Sequence, residues 1–135
     1  MKILIDEQLN RRMKTALADF DVYLTKDLGW SGLQNGELRE QLNENGFDFL
    51  ITADKNMPFQ QNFNRINFKI LLLDITDLVW INEQQFVPKI INFLLKSPET
   101  SHKLIPVSVE GLSNGRKNES LKNYLGENQI LFVQT

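Results

Sequence analysis

Residues 50–62 read LITADKNMPFQQN, and the change of residue type inside this stretch decides the fold. An apolar run ending at Thr52 gives way within two residues to Asp54, Lys55 and Asn56, then Pro58, then the amides Gln60, Gln61 and Asn62. With its two preceding residues the run becomes DFLIT, 48–52, short and almost continuously apolar, as in a strand covered on both faces of a parallel sheet. The same signature appears in KILI (2–5), VYLT (22–25) and NFKILLLD (67–74). Each has the β-branched or aromatic content that strands favour.

Between these runs the period changes. From Leu9 the apolar residues Met13, Ala16, Leu17 and Phe20 recur at helical spacing, with Arg11, Arg12 and Lys14 on the opposite side. KDLGWSGLQNGEL (26–38) is a loop with three glycines that delivers Asn35 as the cap of a helix beginning near Gly36 and ending at Gly46. Strand, helix, strand, helix, strand is a βαβ alternation, so the expected fold is α/β with a central, mostly parallel sheet. INEQQFVPKIINFLLK (81–96) predicts a further helix with Asn82 as cap, where Pro88 is either a kink or the first turn of its main part. KLIPVSVEG (103–111) reads as a strand, SNGRKNES (113–120) as a loop and QILFVQ (129–134) as a last strand of open topology.

A chain of 135 residues fits one domain, and at this size roughly two thirds of the unfolded surface is buried on folding. Fifteen basic residues against seventeen acidic ones argue against a protein that holds nucleic acid by bulk positive charge, so any such contact is local. With no cysteine, disulfides, thiolate zinc sites and cysteine nucleophiles are excluded. There is no leader-like opening segment and no apolar run of the roughly 18 residues a membrane span needs, so a cytoplasmic protein is expected.

In an open parallel sheet ligands bind beyond the carboxyl ends of the strands. Asp6 and Asp54 stand at such ends, and Glu37, in the first turn of the helix before the third strand, is able to face the same edge. Three carboxylates meeting there repel one another unless a cation or protons offset the charge. Oxygen-only ligands point to Mg²⁺ or Mn²⁺ rather than zinc. Glu7 is a candidate for a metal-bound water. Each acid also has an ordinary explanation, as a turn residue or as a partner of the helix dipole, and Asp48, at the opposite edge, reads as structural. His102 is the sole histidine and has no nucleophile setting, which argues against a serine hydrolase. GWSGLQNG lacks the spacing of a phosphate-binding loop and reads as a shaped loop anchored by Trp30, while Trp80 covers core at a helix entry. An acidic pair after the first strand and DKNMP after the third also suit a phosphoacceptor receiver domain. That reading lacks a lysine-proline pair after the fifth strand, and Thr76 is only a loose match for its hydroxyl residue.

Taken together, MKILIDEQL, DLGWSGLQNGEL and FDFLITADKNMPFQQN resemble a family of short bacterial PIN-like proteins, a domain family of unknown function. The resemblance covers residues 1–75 in order and weakens beyond, leaving 111–135 as an unassigned C-terminal extension of a single 1–135 domain. It implies a three-layer α/β/α sandwich and a metal-dependent ribonuclease that cleaves RNA phosphodiester bonds with Mg²⁺ or Mn²⁺. Position by position it implies Asp6, Glu37 and Asp54 as catalytic metal ligands, with Asp74, at the end of the next strand, as a fourth acid. Lys55 and Asn56 fall beside the phosphate. Gln60, Gln61 and Asn62 suit sugar or base edges, and Arg11, Arg12 and Arg65 suit backbone phosphates. The amide cluster serves equally as a self-bonded loop. Family members are regarded as toxins of toxin-antitoxin pairs, which implies a small antitoxin protein and a homodimer among the partners. The alternative is a non-catalytic PIN-like module that binds RNA or protein.

Overall fold

The structure, a computed structural model, describes residues 1–57, 65–96 and 99–115. The amides Gln60, Gln61 and Asn62, and the strand expected at 129–134, lie outside the described residues. Five strands form one parallel sheet: β1 (Lys2–Ile5), β2 (Asp21–Leu24), β3 (Phe49–Thr52), β4 (Lys69–Asp74) and β5 (Leu104–Ser108), in the order β2-β1-β3-β4-β5. Among the described residues four α-helices accompany them: α1 (Arg12–Ala16), α2 (Asn35–Glu44), α3 (Trp80–Glu83) and α4 (Val87–Lys96). The α/β fold with a parallel sheet is therefore as the sequence predicts. No helix among the described residues is long and apolar enough to cross a membrane.

The period of two along each strand sorts the core into two clusters. Ile3, Ile5, Phe49, Ile51, Leu71 and Leu73 join Met13 and Leu17 from the α1 segment and Phe86, Ile90, Phe93 and Leu94 at α4. Leu4, Leu50, Ile70 and Leu72 join Leu38 and Leu42 of α2 with Phe47, Ile66 and Phe68. Adjacent strand residues point to opposite faces, so α2 covers one face of the sheet and α1 and α4 the other. Trp80 packs at the margin of the first cluster and Trp30 at the margin of the second, where its ring lies 5.5 Å from that of Phe47.

Several local expectations are corrected. Asn35 is already helical; the cap of α2 is Gln34, whose extended backbone (ψ 159°) starts the helix without a side-chain bond. The helix ends at Glu44, and Gly46 takes the left-handed conformation (φ 68°) just past it. The α1 helix is shorter than its apolar period. After Ala16 the chain tightens, with Ala18 N–H bonding Thr15 O and Phe20 N–H bonding Leu17 O, so Leu17 and Phe20 still reach the core from a turn. Asn82 is not a cap either: Val79 caps α3, while Asn82 Nδ2 donates back to Asp77 O at 3.1 Å. Pro88 is the second residue of α4, where its missing N–H has no intrahelical acceptor to lose.

The strand order carries the functional consequence. From β1 the chain moves outward to β2 at the edge, then crosses back past β1 to β3, so the winding reverses between β1 and β3. The crevice beyond the carboxyl ends at such a reversal is where open α/β sheets bind ligands.

Candidate functional site

Register sets the first contact of the site. Ile5 is paired with Ile51, and the Asp6 N–H continues the ladder to Ile51 O at 2.9 Å, so the next residues, Asp6 and Thr52, stand side by side. Both are in phase with Leu4 and Leu50, which places them on the α2 face. Thr52 is completely buried, and its hydroxyl lies 2.6 Å from Asp6 Oδ2 and 3.0 Å from Gln8 Oε1. With one proton to donate, the hydroxyl favours the shorter contact to the carboxylate, while the Ala53 N–H satisfies Gln8 Oε1 at 2.7 Å. The same hydroxyl oxygen accepts from Asp54 N–H at 3.1 Å. Thr52 thus ties the two acids to one strand end.

Asp6 Oδ1 accepts from Glu7 N–H at 2.9 Å, and Asp54 Oδ1 accepts from Asn56 N–H at 3.0 Å, an Asx turn that fixes the side chain over the loop. Burial pushes the Asp6 carboxyl above its usual range; the Thr52 hydroxyl and the Glu7 amide pull it back, and the charges of Asp54 and Glu7 raise it again. Asp6 and Asp54 line one cavity of about 220 Å³ together with Glu7, Trp30 and Asn35. The Glu7 carboxylate reaches across to Gly32 N–H at 3.3 Å and holds the 29–33 loop against the site.

The other candidate residues fall as follows. Glu37 is exposed in the first turn of α2, next to the cavity-lining Leu38 but outside the lining itself. Among the described residues no group of three acidic, histidine or cysteine side chains is gathered for a metal ion. Asp74, the last residue of β4, is buried and paired with Lys55 Nζ at 2.9 Å, and its Oδ1 also accepts from Asn114 N–H at 3.2 Å. Its Oδ2 is buried with no hydrogen-bond partner among the described residues. Arg11, Arg12, Asn56 and Arg65 are exposed. Asp48, at the amino edge, accepts from Lys2 N–H at 2.8 Å, the structural role read for it.

No family model, curated protein or solved structure matches the chain. The chemistry therefore rests on the residues. The strand order 2-1-3-4-5 is common to several doubly wound folds, so fold alone does not choose among them. β5 ends in Ser108, followed by Val109 and Glu110, where a phosphoacceptor domain needs a lysine. Sequence reasoning missed Thr52, which holds the acids, Gln8, whose Oε1 accepts from Ala53 N–H beside it, and Glu83, which is 2 % exposed and accepts from Asn10 N–H at 2.8 Å. A polar residue two places before Asp54 at the end of an apolar run was the available signal for Thr52. Glu83 had none, because its partner lies 73 residues away.

Proposed function

We propose that this chain is a PIN-like, metal-dependent endoribonuclease of the toxin type, with an α/β/α arrangement of its layers and an antitoxin protein as its natural partner. The observation that supports it is the pair Asp6 and Asp54 on one cavity at the reversal of strand order, braced by a buried Thr52. The resemblance of residues 1–75 to that family supplies the reaction class.

The donor set suits a hard divalent ion. Asp6 and Asp54 offer oxygen alone, and Mg²⁺ is usually held by one or two carboxylates with waters and substrate phosphate. Burial first, and then the charges of Asp54 and Glu7, raise the Asp6 pKa, and a cation bound there would offset that penalty on the charged form. Asp6 and Asp54 would hold the ion, with Glu7 through water, and Glu37 in the first turn of α2 would be the third acid of the set. When bound, such an ion acidifies the attacking water and neutralises charge on the leaving oxygen. Thr52 and the Glu7 amide keep Asp6 in one orientation, the Asx turn keeps Asp54 in another, and Lys55 beside them is held by Asp74.

The test is cleavage of a pool of single-stranded and structured RNA with Mn²⁺, comparing wild type, Asp54→Asn and wild type in chelator. Cleavage by the first and by neither of the others supports the reading; equal cleavage by Asp54→Asn removes it. The Lys55–Asp74 pair, which occupies the fourth acid, favours a second reading as a non-catalytic module that binds RNA or protein. That reading predicts no cleavage in any arm.

A further inference from the structure

We infer that a second cavity, between α1 and the 25–28 turn, is a phosphate subsite for a single-stranded nucleic acid whose neighbouring nucleotide lies in the acid cavity. This rests on the nucleic-acid reading above. The second cavity, about 190 Å³, is lined by Arg11, Lys26 and Ser31 and shares Asp6, Glu7 and Thr25 with the first. Two adjoining cavities with a common wall suit consecutive groups of a polymer rather than one small molecule.

Charge and wall chemistry divide the roles. An anion approaching Asp6, Glu7 and Asp54 alone is repelled, and an overall charge of −2 gives no general attraction. Arg11 and Lys26 line the second cavity, and Lys14 pairs with Asp27 of the 25–28 turn. Lys14 is committed to Asp27, 2.7 Å away, and the bond from Lys14 together with the Leu24 amide holds the Asp27 carboxyl below its usual range. Arg11 and Lys26 are exposed and make no ion pair among the described residues. The Glu7 charge beside them is directed to the Gly32 amide. Across the shared wall the acid cavity has an aromatic and apolar side formed by Trp30, Leu33 and Leu38. A cavity whose Arg11 and Lys26 offset the Asp6 and Glu7 charges of the shared wall, beside an aromatic one, matches the alternation of phosphate and base along an unpaired strand, whose bases are free to leave their neighbours. A duplex hides its bases and gains nothing from the second wall.

The test is fluorescence anisotropy with a 5′-fluorescein ten-nucleotide single-stranded RNA of mixed sequence, in chelator so that cleavage does not enter, over a series of salt concentrations. Arg11→Gln and Lys26→Gln are each expected to weaken binding about threefold to fivefold, the scale of one exposed ionic contact. Each is expected to flatten the dependence of log K on log salt by about 0.7. Arg11→Lys keeps the slope, and Lys96→Gln, a charge-matched change at the last residue of α4, alters neither quantity. Circular dichroism confirms that the variants fold. Wild-type affinity and slope in both glutamine variants overturn the subsite, as does equal binding of the annealed duplex or no binding by wild type. A chain that binds with these signatures and cleaves nothing keeps the subsite and loses the nuclease. A chain that cleaves with Mn²⁺ while both variants bind as wild type does the reverse.

Discussion

Thr52 Oγ1 stands 2.6 Å from Asp6 Oδ2, with the threonine wholly buried and the aspartate at the mouth of the cavity. One hydroxyl is the inner support of the acidic edge. Thr52→Val keeps the shape and removes the bond to a charged group, so a loss of about 2 kcal/mol of stability is expected in urea unfolding. Because that bond lowers the Asp6 pKa, carboxyl titration by NMR is expected to find Asp6 protonating at still higher pH in the variant.

Asp6 also predicts a pH dependence. Its folded pKa lies above the unfolded value because burial penalises the charged form. Its contribution to stability is therefore fully present below the unfolded pKa of about 3.9 and is lost as pH rises through the folded pKa. Relative to wild type, Asp6→Asn should be more stable at pH 7 than at pH 3, as read by thermal melts. Millimolar Mn²⁺ should raise the melting temperature of wild type and leave that of Asp6→Asn unchanged.

The Lys55–Asp74 pair is buried unequally, with the lysine side chain 18 % exposed and the aspartate 4 %. Lys55→Met strands a carboxylate whose second oxygen already lacks a partner among the described residues, and a loss of about 3–5 kcal/mol is expected. Lys55→Met with Asp74→Leu should recover most of it, because no buried charge then remains. A double-mutant cycle by urea unfolding measures the coupling.

Two glycines should respond in opposite directions. Gly29 follows the 25–28 turn at φ 72°, and a Cβ there meets no atom within 4 Å, so the cost of Gly29→Ala is backbone strain alone, about 1–2 kcal/mol. Gly36 lies in α2 with equally open surroundings, and Gly36→Ala should stabilise by up to about 1 kcal/mol. Thermal unfolding of the two variants decides both.

The sheet was legible because β1, β3 and β4 are short continuous apolar runs, a pattern that strands covered on both faces produce, and because helical periods separate β1 from β2 and β2 from β3. Helix ends were less so. The apolar period from Met13 to Phe20 is satisfied equally by a helix and by a helix ending in tight turns, and backbone bonding made the choice after Ala16. Asn35 looked like a cap by residue type, yet the extended residue at the start of α2 is Gln34. Within the site, Asp6 and Asp54 were readable from their place after strands. Their supports were not: Thr52 meets Asp6 across 46 residues, and Lys55 meets Asp74 only because β3 and β4 are neighbours. Composition and period carry no information about such pairings.

The reversal of winding between β1 and β3 also bears on synthesis. Asp6 is made before its partner strand and Asp54, which follow only after α2 has crossed back past β1. A chain arrested anywhere before residue 54 carries Asp6 and Glu7 but lacks Asp54, so the cavity is without one of its acids. Whatever this edge does, it begins doing it only once residue 54 has been made and β3 has docked beside β1.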